Sequence, residues 1–443
     1  MLSLSSPAAT VHHVRMVARG AKGSSIPFRG LLVFTFILFV APQTFIPALY
    51  AFRISLVTAG FALAVYVLER LSRGGSLSVT PPSVRLLFGF TALAAASIPF
   101  SRWPGGALDV LTDELLKSLL IFVLVANTVD TLRRMKLLIG SMTLWSVLMS
   151  WSALRDFSAG KFDPRGLRIH GYDSPLAGNP NDLALILNLI LALVAGLYLG
   201  TRKSFKKSVL LAVMGLLAAA VIATFSRGGF LTLITIALLI LIRRAREGVG
   251  GVAFLLAVLL VVALLLPQGY GARVSTIFEP DADATGSATA RWDTMGFAFR
   301  MMLEHPLLGL GLGMHGLGFL DVLGDWTWTG VHNVYLQIGA DLGVPALVVY
   351  VLAVWQLFKG LRQPRKWLRG VPAARELLAA GVGIEIALAA FLVGGFFHPV
   401  AYHFYFFYVA GLAVAFQQIA SRVLSDGPAG EATGRVLGHA FRT

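Results

Sequence analysis

Apolar residues fall along this chain in long uninterrupted stretches, not in the alternation of a half-buried strand or the spaced stripe of a soluble helix. About 20 apolar residues are needed for a helix to cross a bilayer. Stretches of roughly this kind occur at 30–48, 51–68, 86–100, 109–126, 137–153, 181–199, 209–225, 229–242, 251–267, 333–357, 376–397 and 404–420. They predict an all-α, polytopic integral membrane protein with about 12 transmembrane helices. Pro42 and Pro47 interrupt the first stretch and Arg53 opens the second, so this pair is expected as two spans or as a short hairpin. Pro81-Pro82 ends any helix before the third.

Lysine and arginine set the expected orientation. With both termini cytoplasmic and the spans alternating, 26 of the 37 basic residues fall on the inside. They cluster at Arg133, Arg134 and Lys136, at Arg202 to Lys207, and at Lys359 to Arg375. The expected organisation is a cytoplasmic tail over 1–29, nine spans over 30–267, one large periplasmic loop over 268–332, three spans over 333–420 and a second cytoplasmic tail over 421–443. Residues 1–29 are polar and basic with no small-residue cleavage site behind the first apolar stretch, which argues against a cleaved signal.

Composition fits this picture. Of 443 residues, 56% are hydrophobic and 13% charged, against about 25% charged in soluble domains. An ordinary soluble enzyme and a disordered chain are both excluded. The absence of cysteine excludes disulfides, thiol catalysis, zinc–thiolate sites and iron–sulfur clusters. The formal charge of +15 is mostly the orientation signal, so no nucleic-acid partner is expected.

Eleven basic residues escape that signal: Arg53, Arg102, Lys117, Arg155, Lys161, Arg165, Arg168, Arg227, Arg273, Arg291 and Arg300. Arg227, in Phe225-Ser226-Arg227-Gly228-Gly229, stands at a tight outer hairpin whose glycines let the backbone bend and approach closely. There it either grips a phosphate bidentately or snorkels to the interface. Arg291 opens a stretch running to Glu304 in which Trp292, Met295, Phe299 and Met302 recur at helical spacing. This predicts an amphipathic helix lying on the outer membrane face, with Arg291 at its anion-favouring first turn or merely beside an interfacial tryptophan. Arg300 is a weaker candidate of the same kind. Gly309-Leu-Gly311-Leu-Gly313 lacks a P-loop lysine and is expected as a flexible linker. His332 begins a span and is either a general base or hydrogen-bond partner, or a helix cap; Asn333 either orients it or binds a sugar hydroxyl. Asn179-Pro180-Asn181-Asp182 is expected to cap the sixth span. His398 and His403, flanking Pro399, are weaker candidates. Asp281-Ala-Asp283 imitates a DxD motif and is best explained by loop composition. No HExxH spacing occurs, so no metal site is expected. Glu385 is the foremost intramembrane acid and stands alone in the sequence.

Three of these features together resemble the O-antigen ligase family, whose wider group includes O-antigen polymerases and bacterial protein O-oligosaccharyltransferases. The family pattern of His, then Asn, Ser or Gln, nine residues and Gly-x-x-Gly reads here as His332-Asn333, nine residues, Gly343-Val-Pro-Ala346; the final alanine is a departure. Ser226-Arg227-Gly228-Gly229 and Arg291-Trp292 leading into Pro306-Leu-Leu-Gly complete the match, which is best over 170–360. The resemblance implies a GT-C-like architecture and glycan transfer from an undecaprenyl-pyrophosphate donor to a sugar hydroxyl of lipid A–core, at the periplasmic face of the bacterial inner membrane. It implies Arg227 and Arg291 on the pyrophosphate, His332 at the acceptor hydroxyl, and no cofactor. The 154–180 segment, with Arg155, Lys161, Arg165 and Arg168, keeps a polymerase reading open. A secondary transporter would instead need functional residues near the membrane midplane.

Overall fold

A computed structural model of the chain describes residues 25–52, 54–74, 76–162, 168–245, 275, 287–323, 330–369, 371 and 374–425. The expected span at 251–267, Asp281 and Asp283, Arg53, Arg165, Arg273 and most of both tails lie outside these residues. The described part is helical throughout, and every other apolar stretch carries helix. Eight of its helices are long and apolar enough to cross a membrane.

Ile26–Val40 ends where Ala41 takes a left-handed conformation ahead of Pro42. A four-residue helix and a 3-10 turn then lead to Ile54–Ser72. The prolines therefore shorten the first helix, as their position in the sequence requires, while the second reaches spanning length. Pro82–Ser97 follows. The stretch expected at 109–126 is instead divided: Pro104–Val110, a π-helical turn over Leu111–Leu115, and Leu116–Thr128. The π turn carries Asp113 and Glu114, polar residues that hydropathy alone cannot assign to a break. Leu132–Ser158, Pro180–Gly200, Ser204–Ala223 and Arg227–Ala245 come next, then Ser287–Glu304 and His315–Leu323, and finally Val334–Leu368, Arg375–Gly394 and Phe404–Ser425.

Burial separates a central layer from a periphery. Pro180–Gly200, Arg375–Gly394 and Phe404–Ser425 are mostly enclosed, whereas Ile54–Ser72 and Ser204–Ala223 are largely exposed. Gly196 and Gly383 let the first two of these central helices touch backbone to backbone: a methyl added at Gly196 would stand 2.8 Å from Gly383 Cα. Close approach through small residues is how apolar helices gain packing energy when lipid removes the hydrophobic drive between them.

Two features depart from what the sequence pattern predicts. The 309–313 stretch is not a flexible linker. Gly309, Gly311 and Gly313 all have positive φ, and a methyl at Gly313 would meet Val110 at 2.7 Å. The Leu310 and Gly311 amides donate to Ala340 O and Asp341 O at 2.9 Å, and the Arg102 amide donates to Leu310 O at 3.0 Å. The glycines are there because this turn is pressed against two other segments. Glu385, likewise, is not alone. Arg243, Arg362 and Arg365 all donate to its carboxylate, from helices too distant in sequence for spacing to reveal.

Candidate active site

Four segments meet at one end of the bundle. The first is the start of Pro180–Gly200, capped as expected by Asn179, whose Oδ1 accepts from the Asn181 and Asp182 amides at 2.9 and 3.0 Å. The second is the hairpin into Arg227–Ala245. Its bend lies at Phe225, which has a positive φ, and not at the two glycines. Ser226 Oγ accepts from the Gly229 amide at 3.2 Å and donates to Asn181 Oδ1 at 2.8 Å. The glycines serve close approach: a methyl at Gly228 would stand 2.6 Å from Phe397 Cβ, and one at Gly229 would meet Ala184 at 2.5 Å. Arg227 is thereby held at the helix start with 8% of its surface exposed, which is incompatible with a snorkelling arginine.

The third segment is the turn of residues 330–333 leading into Val334–Leu368. Asn333, not His332, is the cap: its Oδ1 accepts from the Tyr335 and Leu336 amides at 3.0 Å. That oxygen is thus committed to the backbone, and the histidine is released from the capping role. The fourth is the turn of residues 395–403, which ties the others together. Val334 N–H donates to Gly395 O at 2.7 Å, the Ala401 amide donates to Gln337 Oε1 at 3.1 Å, and a methyl at Gly330 would touch Pro399 at 3.1 Å. His398 is buried with Nδ1 2.7 Å from Gly394 O and Nε2 2.9 Å from Asn181 O. Phe397 receives Gly228, as above.

Electrostatics draw a fifth segment in. Burial, then the charges of Arg291, His398 and Arg168, push the His332 imidazole down to about 3. Arg291 therefore lies within electrostatic reach of His332, and so does Arg168. His332 Nδ1 is buried without a hydrogen-bond partner, a state that usually marks a group waiting for one. Burial likewise holds His398 below its ordinary value, against the Gly394 and Asn181 carbonyls and the Asp182 carboxylate that favour its cation. The outcome is a neutral imidazole with a free ring nitrogen, set among guanidinium groups. Such a site repels cations and favours an anion with several oxygens.

Arg291 is at the second turn of Ser287–Glu304, on the same side as the buried Thr294, Ala298 and Met301. Trp292, Phe299 and Leu303 are exposed on the other side. Gly343 interrupts Val334–Leu368 with φ 78° and ψ 178°. A methyl there would stand 2.6 Å from Pro306 O, so the kink is what seats the 306–311 turn. A family model described as O-antigen ligase matches residues 212–351. Residues 212–351 form an O-antigen ligase family domain. A search of curated proteins returns no match.

The O-antigen ligase domain contains Arg227, Arg291, His332 and the Gly343 kink. Arg168, Asn181 and His398 lie outside it in sequence, yet Arg168 and His398 act electrostatically on His332 and Asn181 O stands 2.9 Å from His398 Nε2. Sequence reading placed His398 among the weaker histidines and left Arg168 as one basic residue among eleven. Nothing local distinguishes either; only the packing of distant segments does. Of the other ten, Lys117 and Arg155 pair with Asp113 and Asp156, and so have local explanations. Ala346 of the domain's histidine motif is fully buried, in line with a packing difference. Among the described residues, no three His, Asp or Glu side chains are grouped to hold a metal ion.

Proposed function

We propose that this protein is a lipid-linked glycan ligase. It transfers a glycan from undecaprenyl pyrophosphate to a sugar hydroxyl of lipid A–core at the periplasmic face of the inner membrane. The observation that carries the reading is the unpartnered, neutral His332 nitrogen beside arginine charges. In the reaction the anomeric C–O bond to pyrophosphate breaks as the acceptor oxygen bonds to that carbon from the opposite face, inverting it. His332 takes the acceptor proton. Arg227 and Arg291 hold the pyrophosphate and stabilise its charge as it leaves. A bound pyrophosphate also offsets the cations that depress His332, so the base strengthens when the donor is present. The donor is already activated, which leaves no task for ATP or a metal.

The bundle of about 12 spans, cytoplasmic termini and a large outer loop complete this reading. The exposed aromatic side of Ser287–Glu304 supports its lying against the membrane surface. A polymerase is the second reading, favoured by one observation: Arg168, from the other arginine-bearing outer segment, acts on His332.

The test is glycan transfer in a strain lacking its own ligase, with membrane levels measured. Wild type is expected to make capped lipopolysaccharide. His332→Ala, Arg227→Ala and Arg291→Ala at equal levels are expected to lose about 100-fold or more, the usual scale for removing a proton acceptor or an oxyanion partner. Lengthened lipid-linked chains with bare cores would identify a polymerase instead. Full activity in His332→Ala would remove the proposed base.

A further inference from the structure

The Glu385 cluster lies at the other end of the bundle from the candidate active site and is not used by the proposed reaction. Arg243 is sixteen residues along its helix from Arg227, a rise of about 24 Å, which approaches the thickness of the hydrocarbon layer. Three guanidinium groups converge on one carboxylate. Arg243 donates through Nη2 at 2.7 Å, Arg362 through Nε at 2.7 Å, and Arg365 through Nη2 at 2.5 Å. Glu385 is only 6% exposed. Among the described residues one negative charge faces three positive ones, a local excess of two. An excess of that size at the edge of a low-dielectric layer calls for a further anion.

The three arginines are not equivalent. Arg243 and Arg365 each make a second bond within their own helices, to Leu239 O and Leu361 O. Arg362 stacks over the Phe358 ring at 5.2 Å and its side chain is 62% exposed. It can therefore present its planar fork outward while Glu385 fixes its Nε. Arg362 also ends an exposed stripe of the same helix, formed by Val348, Val351, Leu352 and Trp355. Their spacing of three to four residues puts them on one side of the helix. An apolar track ending in a fixed, outward guanidinium has the form of a seat for a lipid: chains along the track, phosphate on the fork.

We propose that Arg362, held by Glu385 and reinforced by Arg243 and Arg365, is a binding site for a phosphate-bearing anion. The ligand is the headgroup of an anionic phospholipid in the leaflet opposite the candidate active site. A free phosphate shares the same headgroup chemistry, and the test separates the two.

The full-length protein in detergent is titrated with phosphatidylglycerol, with phosphatidylcholine and with inorganic phosphate. Bound lipid is counted by native mass spectrometry and stabilisation followed by thermal unfolding. Arg362→Gln is the informative variant, because it removes the exposed charge and leaves the buried pairs of Glu385 intact. Arg369→Gln, at an exposed arginine about two turns beyond, is the control. Wild type and Arg369→Gln are expected to retain phosphatidylglycerol in preference to phosphatidylcholine. Arg362→Gln is expected to weaken that retention about tenfold, the scale of one charge-assisted contact. Equal stabilisation by inorganic phosphate, lost in Arg362→Gln, would keep the phosphate site and make its source soluble. Equal retention by wild type and Arg362→Gln, or no preference over phosphatidylcholine, would overturn the proposal.

Discussion

His332 is costly to protonate in the folded protein. Its ordinary value is 6.5, and burial with the neighbouring cations pushes it to about 3. A group depressed on folding contributes stability that is present above its unfolded value and lost as pH falls towards the folded one. The protein is therefore expected to lose stability between about pH 6.5 and pH 3 in part through this residue. Thermal unfolding across that range, compared with His332→Gln, checks it: the variant's stability should fall less steeply. Identical slopes would mean that the histidine is not held neutral among cations. The three proposed ligand-facing residues were legible because each is an ionisable side chain at the edge of an apolar run, where solvation is expensive. His398 was not, since its two carbonyl partners come from segments 4 and 217 residues away. Asn333 was legible only as a neighbour of the histidine; its role as the cap belongs to the backbone.

At the scale of elements, Gly343 joins a short first segment of helix to the long remainder of Val334–Leu368. Its φ and ψ are open essentially to glycine alone, and forcing another residue there costs about 1–3 kcal/mol. Gly343→Ala is expected to lower the unfolding temperature and to reduce glycan transfer, because the 306–311 turn loses its seat. Gly215→Ala is the matched control. Gly215 lies within Ser204–Ala223 with nothing near its added methyl, so alanine should be neutral or stabilising by about 0.5–1 kcal/mol. Equal effects in the two variants would show that the kink carries no special constraint. Asn333→Ala is expected to cost about 1 kcal/mol through the lost cap, measurable by the same unfolding experiment. Hydropathy found these helices because burial in lipid is a sum over many residues. It missed the π turn at Leu111–Leu115 and placed the hairpin bend on the glycines instead of Phe225, because single backbone angles leave no such sum.

At the scale of the whole molecule, orientation follows from where the basic loops sit. Since the native sequence has no cysteine, one introduced cysteine reports its side without a background. Lys161→Cys is expected to react with a membrane-impermeant maleimide added from the periplasmic side, and Lys206→Cys only once the inner membrane is opened. The reverse pattern would invert the topology. The family match was readable in the sequence, whereas the approach of Asn181 and His398 to one another was not, because they lie on opposite sides of the matched region. The 395–403 turn has a consequence in time. It is made after nearly all of the chain, and it joins Asn181, Gly228, Gly330 and Val334 through His398, Phe397, Pro399 and Gly395. During synthesis the earlier segments enter the membrane without the piece that gathers them. The segments that bear the proposed site residues therefore stay ungathered for most of synthesis, and their arrangement is completed only when the final hairpin is inserted.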